Sequence, residues 1–308
     1  YGRETEVSSI TDAFCRVSTG MSEAFFIGGF SGSGKSMLVN SLKARVDISE
    51  GYVLTHKFDQ MSKKRPLHEV ISVFNDMCLL IREKCSQKDL LAIINDLMDT
   101  FGTDFSMLTR LLPNADTLCP QWKKTSNKKE TSVQMNLESV CFILQRFMRI
   151  VSSKSHPVML FLDDLQWCDN SALSLVEGIL CDGIRYSCLF FVGSYRSNEV
   201  EDDHGIFRLT DSLRSAGVPT TTMSLEGLKR EEVNTMISDA MCMLPRICEP
   251  LTNMVFQKTK GNPFFVLAFL RSLVDGEVLK FCKEKMKWVW DQDGISTMDI
   301  TGNVLYLL

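Results

Sequence analysis

The stretch FFIGGFSGSGKSMLVN, residues 25–40, constrains the fold more than any other part of the chain. An apolar strand-forming run, Phe25, Phe26 and Ile27, meets a glycine- and serine-rich segment with a single lysine, and apolar residues resume at Met37, Leu38 and Val39. Gly29, Gly34, Lys35 and Ser36 fit G-x-x-x-x-G-K-[ST] in full, after a strand and before a helix, which is the context the pattern requires. Glycines let successive backbone N–H groups turn inward without side-chain interference, and the following helix adds the positive end of its dipole. The segment therefore reads as a polyphosphate cradle made by Gly29, Ser31, Gly32, Ser33, Gly34, Lys35, Ser36 and Met37. Lys35 is expected on the terminal phosphates and Ser36 on a magnesium ion.

Four more apolar runs read as strands: residues 51–58, 157–164, 187–195 and 218–228. The first three of these are apolar on both faces, as in a parallel sheet covered by helices on either side. Helical patterns lie between strands. In residues 66–85, Leu67, Val70, Ile71, Phe74, Met77, Cys78 and Ile81 share a stripe, and Pro66 suits a first helical position. Alternating strands and helices imply an α/β fold with a parallel five-stranded sheet, placed at residues 1–228. Residues 85–135 break the alternation and read as an insertion ending in a mobile, lysine-rich surface loop. A small helical lid is expected over 229–275. A terminal β-hairpin and the start of a further segment are expected over 276–308.

A phosphate loop needs an acidic partner, because magnesium takes a hydroxyl and a carboxylate as protein ligands. The run VMLFLDDLQWCDN supplies one: five apolar residues lead straight into Asp163 and Asp164, so a buried strand ends in an acidic tip. Asp163 is assigned to the metal and Asp164 to polarising an attacking water. The next strand ends in GSYRSNEV, where Arg196 would leave the sheet and could sense a terminal phosphate. The four histidines, His56, His68, His156 and His204, show no ligand spacing and no evident partner.

These segments, together with YGRETEVSSITDAF at the start and VFQKTKGNPFFVLAFLRSL near the end, occur in the same order as in the origin-recognition-like AAA ATPase domain, which the chain resembles over nearly its whole length. That family is similar to the signal-transduction ATPases with numerous domains, found in large multidomain signalling kinases. The resemblance implies ATP and Mg2+ as ligands, a sensor role for Arg196, and Gly2 and Arg3 near the adenine. It also implies that Pro263 of the GNP box reaches the base from the lid. One departure stands out: many AAA ATPases carry glutamate where this chain has Asp164, one methylene shorter, which would slow hydrolysis.

The totals exclude several other classes. A net charge of −4 over 308 residues gives no dense positive field for nucleic acid or an acidic membrane. No apolar run approaches the roughly 18 residues of a membrane-spanning helix. Eleven cysteines are scattered, never in C-x-x-C pairs, and read as reduced thiols of a cytoplasmic protein. The chain begins at Tyr1 and ends within NVLYLL, as a piece of a longer protein would. Two functions follow as expectations. One is a magnesium-dependent, ATP-hydrolysing regulatory module switching an attached or partner signalling domain, such as a kinase. The other is a nucleotide-holding scaffold with negligible turnover. The oligomeric state is not legible.

Overall fold

The computed structural model describes residues 1–59, 66–120, 135–183, 188–284 and 286–298. Helix α1 (Glu4–Ser18) leads into β1 (Glu23–Gly29), followed by α2 (Lys35–Ile48), β2 (Tyr52–Lys57), α3 (Pro66–Lys84), α4 (Gln87–Phe101), α5 (Phe105–Leu111) and α6 (Leu137–Val151). Then come β3 (Val158–Asp163), α7 (Asn170–Gly183), β4 (Leu189–Tyr195), α8 (Gly205–Ser215) and β5 (Thr220–Leu225). The five strands lie in the order β2-β3-β4-β1-β5. Pairing is parallel between β1 and β4, β2 and β3, and β3 and β4. The expected parallel sheet with flanking helices is what the chain forms.

Burial explains which strands sit where. Every residue of β1 and β3 is buried, matching the apolar runs at 24–27 and 158–162, and the buried Glu23 that opens β1 is paired with Arg16. The edge strands β2 and β5 mix buried and exposed positions, and β5 is built from three threonines, a β-branched residue that tolerates a half-exposed pleat.

The chain divides into two compact units. One comprises Val7–Gly28 and Val39–Met223; the other comprises Tyr1–Glu6, Gly29–Leu38 and Ser224–Leu308. The first is organised by one apolar core that includes Phe26, Tyr52, Phe74, Leu97, Phe147 and Phe191. The described part of the 85–135 segment belongs to that core: Ile93, Leu97, Phe101, Phe105, Leu108 and Leu112 are all buried in it. Its lysine-rich end lies outside the described residues, as do the basic run at 63–65 and the final NVLYLL.

The second unit has its own core, formed by α9 (Arg230–Met241), α10 (Pro245–Thr259) and α11 (Pro263–Asp275) around Val233, Ile237, Leu251, Val255 and Phe269. The antiparallel hairpin β6 (Leu279–Cys282) and β7 (Lys287–Trp290) follows, with Leu279 opposite Trp290. Trp288 and Trp290 pack against this core, which explains the tryptophans of the hairpin as packing residues. A short helix, α12 (Gln292–Thr297), buries Ile295. All eleven cysteines are free thiols. No helix among the described residues is long and apolar enough to cross a membrane.

Candidate functional site

The phosphate loop belongs to the unit that contains α9 to α11. Gly32 and Gly34 have φ of 76° and 98°, a left-handed conformation that side chains rarely adopt, and the chain enters α2 at Lys35. The Leu38 N–H donates to Gly34 O at 2.9 Å, so the helix begins on the loop itself. Lys35 is buried, and its Nζ donates to Gly29 O at 2.8 Å and Phe30 O at 3.0 Å. Ser33 is 3% exposed, and its Oγ has no hydrogen-bond partner among the described residues. An orphaned buried hydroxyl costs free energy unless a polar group meets it, and a phosphate oxygen is such a group. The residues present fit a bound polyphosphate. Met37 is 73% exposed.

Neighbouring elements of the same unit grip the loop through its carbonyls. Arg3 Nη2 donates to Ser33 O at 3.2 Å and to Glu226 O at 2.5 Å, while Nη1 donates to Glu6 Oε1 at 2.9 Å. Gly2 sits at φ 58° against the Glu232 carboxylate. Pro263 is the first residue of α11, and Asn262 caps that helix. The Asn262 Nδ2 donates to Ser31 O at 2.8 Å. The resemblance gave Asn262 no role, although Asn followed by Pro is itself the signature of a capped helix start.

The acidic residues lie in the other unit. Asp163 ends β3 and is 6% exposed, and the Ser194 hydroxyl of β4 donates to its Oδ1. Register brings them together, since Leu162 pairs with Gly193 one residue earlier on each strand. Asp164 follows at φ 60° and ψ 48°, a left-handed turn that aspartate tolerates better than most residues. This 4% exposed residue is surrounded by donors. Lys57 Nζ, from the end of β2, lies 3.3 Å from Oδ2; Arg196 Nε lies 3.3 Å and Gln166 Nε2 3.1 Å from Oδ1. The Gln166 Oε1 accepts the Arg196 N–H at 3.1 Å, tying the two together.

Arg196 also bonds Glu199 at 2.8 Å and lies over the Trp167 ring at 4.8 Å. Partial burial works against its charge, but the Glu199 hydrogen bond and the Asp164 charge outweigh that and raise its pKa. Lys57, Gln166, Trp167 and Ser194 escaped the sequence reading, because only strand register shows which side chains meet at a sheet end. Three of the four histidines also have partners that spacing did not reveal. His56 Nε2 lies 2.9 Å from Glu69 Oε2, His156 Nδ1 lies 3.0 Å from Glu50 O, and His204 caps α8 by accepting from the Ile206 N–H at 3.2 Å. Among the described residues no cluster of His, Cys, Asp or Glu is set to hold a metal by itself.

Comparison with known proteins bears on the family and the fold. Over nearly its full length the chain is similar to the hybrid signal transduction histidine kinase G of Dictyostelium discoideum, at 23% identity, with 99% of this chain and 10% of that protein covered. The chain thus spans about a tenth of that curated relative. In fold it is similar to Cdc6p from Pyrobaculum aerophilum, with a TM-score of 0.51 at 10% identity, over 89% of this chain and 62% of that one. The Aeropyrum pernix ORC1 protein, solved in complex with DNA, gives a TM-score of 0.47 at 12% identity, over 95% and 63%. Residues 1–190, more than half of the sequence, match the family model of the AAA ATPase domain, and the chain belongs to that family.

Proposed function

We propose that this chain is a magnesium-dependent, ATP-binding and ATP-hydrolysing regulatory module of a larger cytoplasmic signalling protein. The observation that carries the reading is the loop from Gly29 to Ser36. It is left-handed at both internal glycines, contains a buried lysine and an orphaned serine hydroxyl, and opens directly into α2. In this reading Gly29, Ser31, Gly32, Ser33, Gly34, Lys35, Ser36 and Met37 hold the nucleotide. Gly2, Arg3 and Pro263 serve the base side. Ser36 and Asp163 would hold magnesium, which supplies charge neutralisation at the phosphates when bound. Asp164 orients the attacking water, and Arg196 answers charge on the transferred phosphoryl. We carry the division into a nucleotide-binding part at 1–228, a helical lid at 229–275 and a hairpin segment from 276 as part of the same proposal.

The signalling context is supported by the likeness to a histidine kinase, of which this chain would be one segment. A nucleic-acid partner is not part of the proposal, since the net charge of −4 offers no positive field for one. Measured ATP affinity and steady-state hydrolysis test the reading. Both should collapse in Lys35→Ala, and hydrolysis should be lost in Asp163→Ala. Unchanged nucleotide affinity in Lys35→Ala would end the reading.

One observation favours a second function, a nucleotide-holding scaffold with negligible turnover. The Asp164 carboxylate is almost fully buried and already engaged by Lys57, Arg196 and Gln166, and its side chain is short for reaching a water. A single-turnover experiment separates the two. A scaffold retains its ATP intact for hours, whereas a switch converts it within minutes.

A further inference from the structure

We infer that Asn262 is a positioning residue for the phosphate loop, fixing the direction in which the loop presents its backbone N–H groups. The consequence for ligands rests on the nucleotide-binding reading above; the conformational part does not.

Both ends of the Asn262 side-chain amide are used. Its Oδ1 accepts from the Phe264 N–H at 3.1 Å and the Phe265 N–H at 3.2 Å, which starts α11. Its Nδ2 donates to Ser31 O at 2.8 Å, outside the helix. Among good N-caps, serine and threonine have one oxygen and aspartate has no donor, so only asparagine can cap the helix with an acceptor and hold a second carbonyl with a separate N–H group. The Phe264 N–H is itself shared, lying 3.3 Å from Gly32 O. A Cβ on Gly32 would stand 2.6 Å from Phe264 Cβ and 2.8 Å from Asn262 Oδ1, so the loop rests directly on the helix start. Asn262 is in turn held in place by its neighbour. Gly261, at φ 75°, receives the Leu228 N–H on its carbonyl at 2.7 Å and leaves no room for a side chain against Leu228 O.

The direction of the carbonyls decides the direction of the amides. In a planar trans peptide, C=O and the next N–H point to opposite sides. The Ser31 carbonyl is held by Asn262, the Gly32 carbonyl meets the start of α11, and the Ser33 carbonyl is held by Arg3. Fixing the Ser31 and Ser33 carbonyls turns the Gly32 and Gly34 N–H groups the other way, as a phosphate cradle requires. The Ser33 N–H closes the turn on Phe30 O at 3.2 Å. Asn262 therefore sets the loop geometry before any ligand arrives, and it makes the loop and α11 one mechanical piece.

The test uses Asn262→Ser and Asn262→Asp in this chain, with hydrogen exchange of peptides covering residues 29–36 in the nucleotide-free protein and ATP affinity by titration. Serine and aspartate both cap helices well, so exchange within α11 should stay at its wild-type level in each. Loop exchange should quicken by about 2- to 10-fold, the worth of one hydrogen bond, and ATP affinity should weaken by a similar factor. Turnover at saturating ATP should change less than affinity. Wild-type loop exchange in both variants would overturn the proposal, whether or not ATP binds. Failure of the wild-type chain to bind ATP, with quickened loop exchange in the variants, would instead remove the nucleotide reading and leave the positioning role standing.

Discussion

The phosphate loop and the acidic tip of β3 both place polar groups at the end of a buried strand, yet they are held in opposite ways. The loop is fixed by donors aimed at main-chain carbonyls: Lys35 on Gly29 and Phe30, Arg3 on Ser33, Asn262 on Ser31. The tip is fixed by side chains of opposite charge: Lys57 and Arg196 on Asp164, Glu199 on Arg196. Carbonyl contacts fix a backbone shape and do not depend on the identity of the residue they grip. Charge pairs hold side chains that an incoming cation or phosphoryl group can recruit by offering a better partner. The first arrangement suits a preformed cradle and the second suits chemistry that must rearrange.

Gly32→Ala breaks the contrast with the largest effect. A methyl group at φ 76° and within 2.6 Å of Phe264 Cβ strains the backbone and pushes α11 from the loop. A loss of about 2–4 kcal/mol is expected in the unit that holds α9 to α11, read as faster hydrogen exchange there while the β3 and β4 peptides keep their protection. Arg196→Met comes next. It removes a cation from Asp164 and Glu199 without touching the main chain, so kcat should fall roughly tenfold or more with little change in KM.

Stability should fall above pH 9, because burial raises the thiol pKa of Cys78 and of other cysteines in both units, Cys119 and Cys248 among them, and Cys78 alone should account for on the order of 1 kcal/mol. Burial pushes the Cys78 thiol up to about 12 from a starting value of 9.0. The folded state therefore keeps a proton that the unfolded chain releases. Its contribution is complete below pH 9 and is lost as pH rises toward 12. Unfolding free energies from urea titrations at pH 8 and pH 10 should differ by about 1 kcal/mol for this group, and Cys78→Ala should flatten the slope. The smallest effect belongs to Lys57→Met. The Lys57 side chain is 64% exposed, and Arg196 and Gln166 remain on Asp164, so stability should move by about 0.5 kcal/mol or less. A much larger loss would mean that Lys57 carries the tip, and the comparison would have to be redrawn.

Much of this arrangement was legible in the residues themselves. β3 and β4 were readable to within two residues because they are buried on both faces and so are written as apolar runs, whereas β2, read the same way, is an edge strand with exposed positions. The loop was readable because left-handed backbone demands glycine at particular places, and Gly32 and Gly34 occupy them. The stretch from Leu90 to Cys119 was harder. Its leucines signalled a helix, but nothing local showed that Leu97, Phe101 and Leu108 join the main core, since that is decided by tertiary packing. The contacts of Arg3, Lys57 and Ser194 depend on which strand ends become neighbours and on carbonyls that any residue supplies, so no residue pattern records them. Asn262 falls between these cases: its capping role is written in Asn-Pro, whereas its second bond to Ser31 is not.

The central proposal is that Lys35 and Asp163 serve one nucleotide. A double-mutant cycle of Lys35→Ala and Asp163→Asn, with ATP affinity measured in magnesium and again in EDTA, tests it most directly. The account predicts a coupling of at least about 1 kcal/mol in magnesium that vanishes in EDTA. Losses that simply add under both conditions would contradict it.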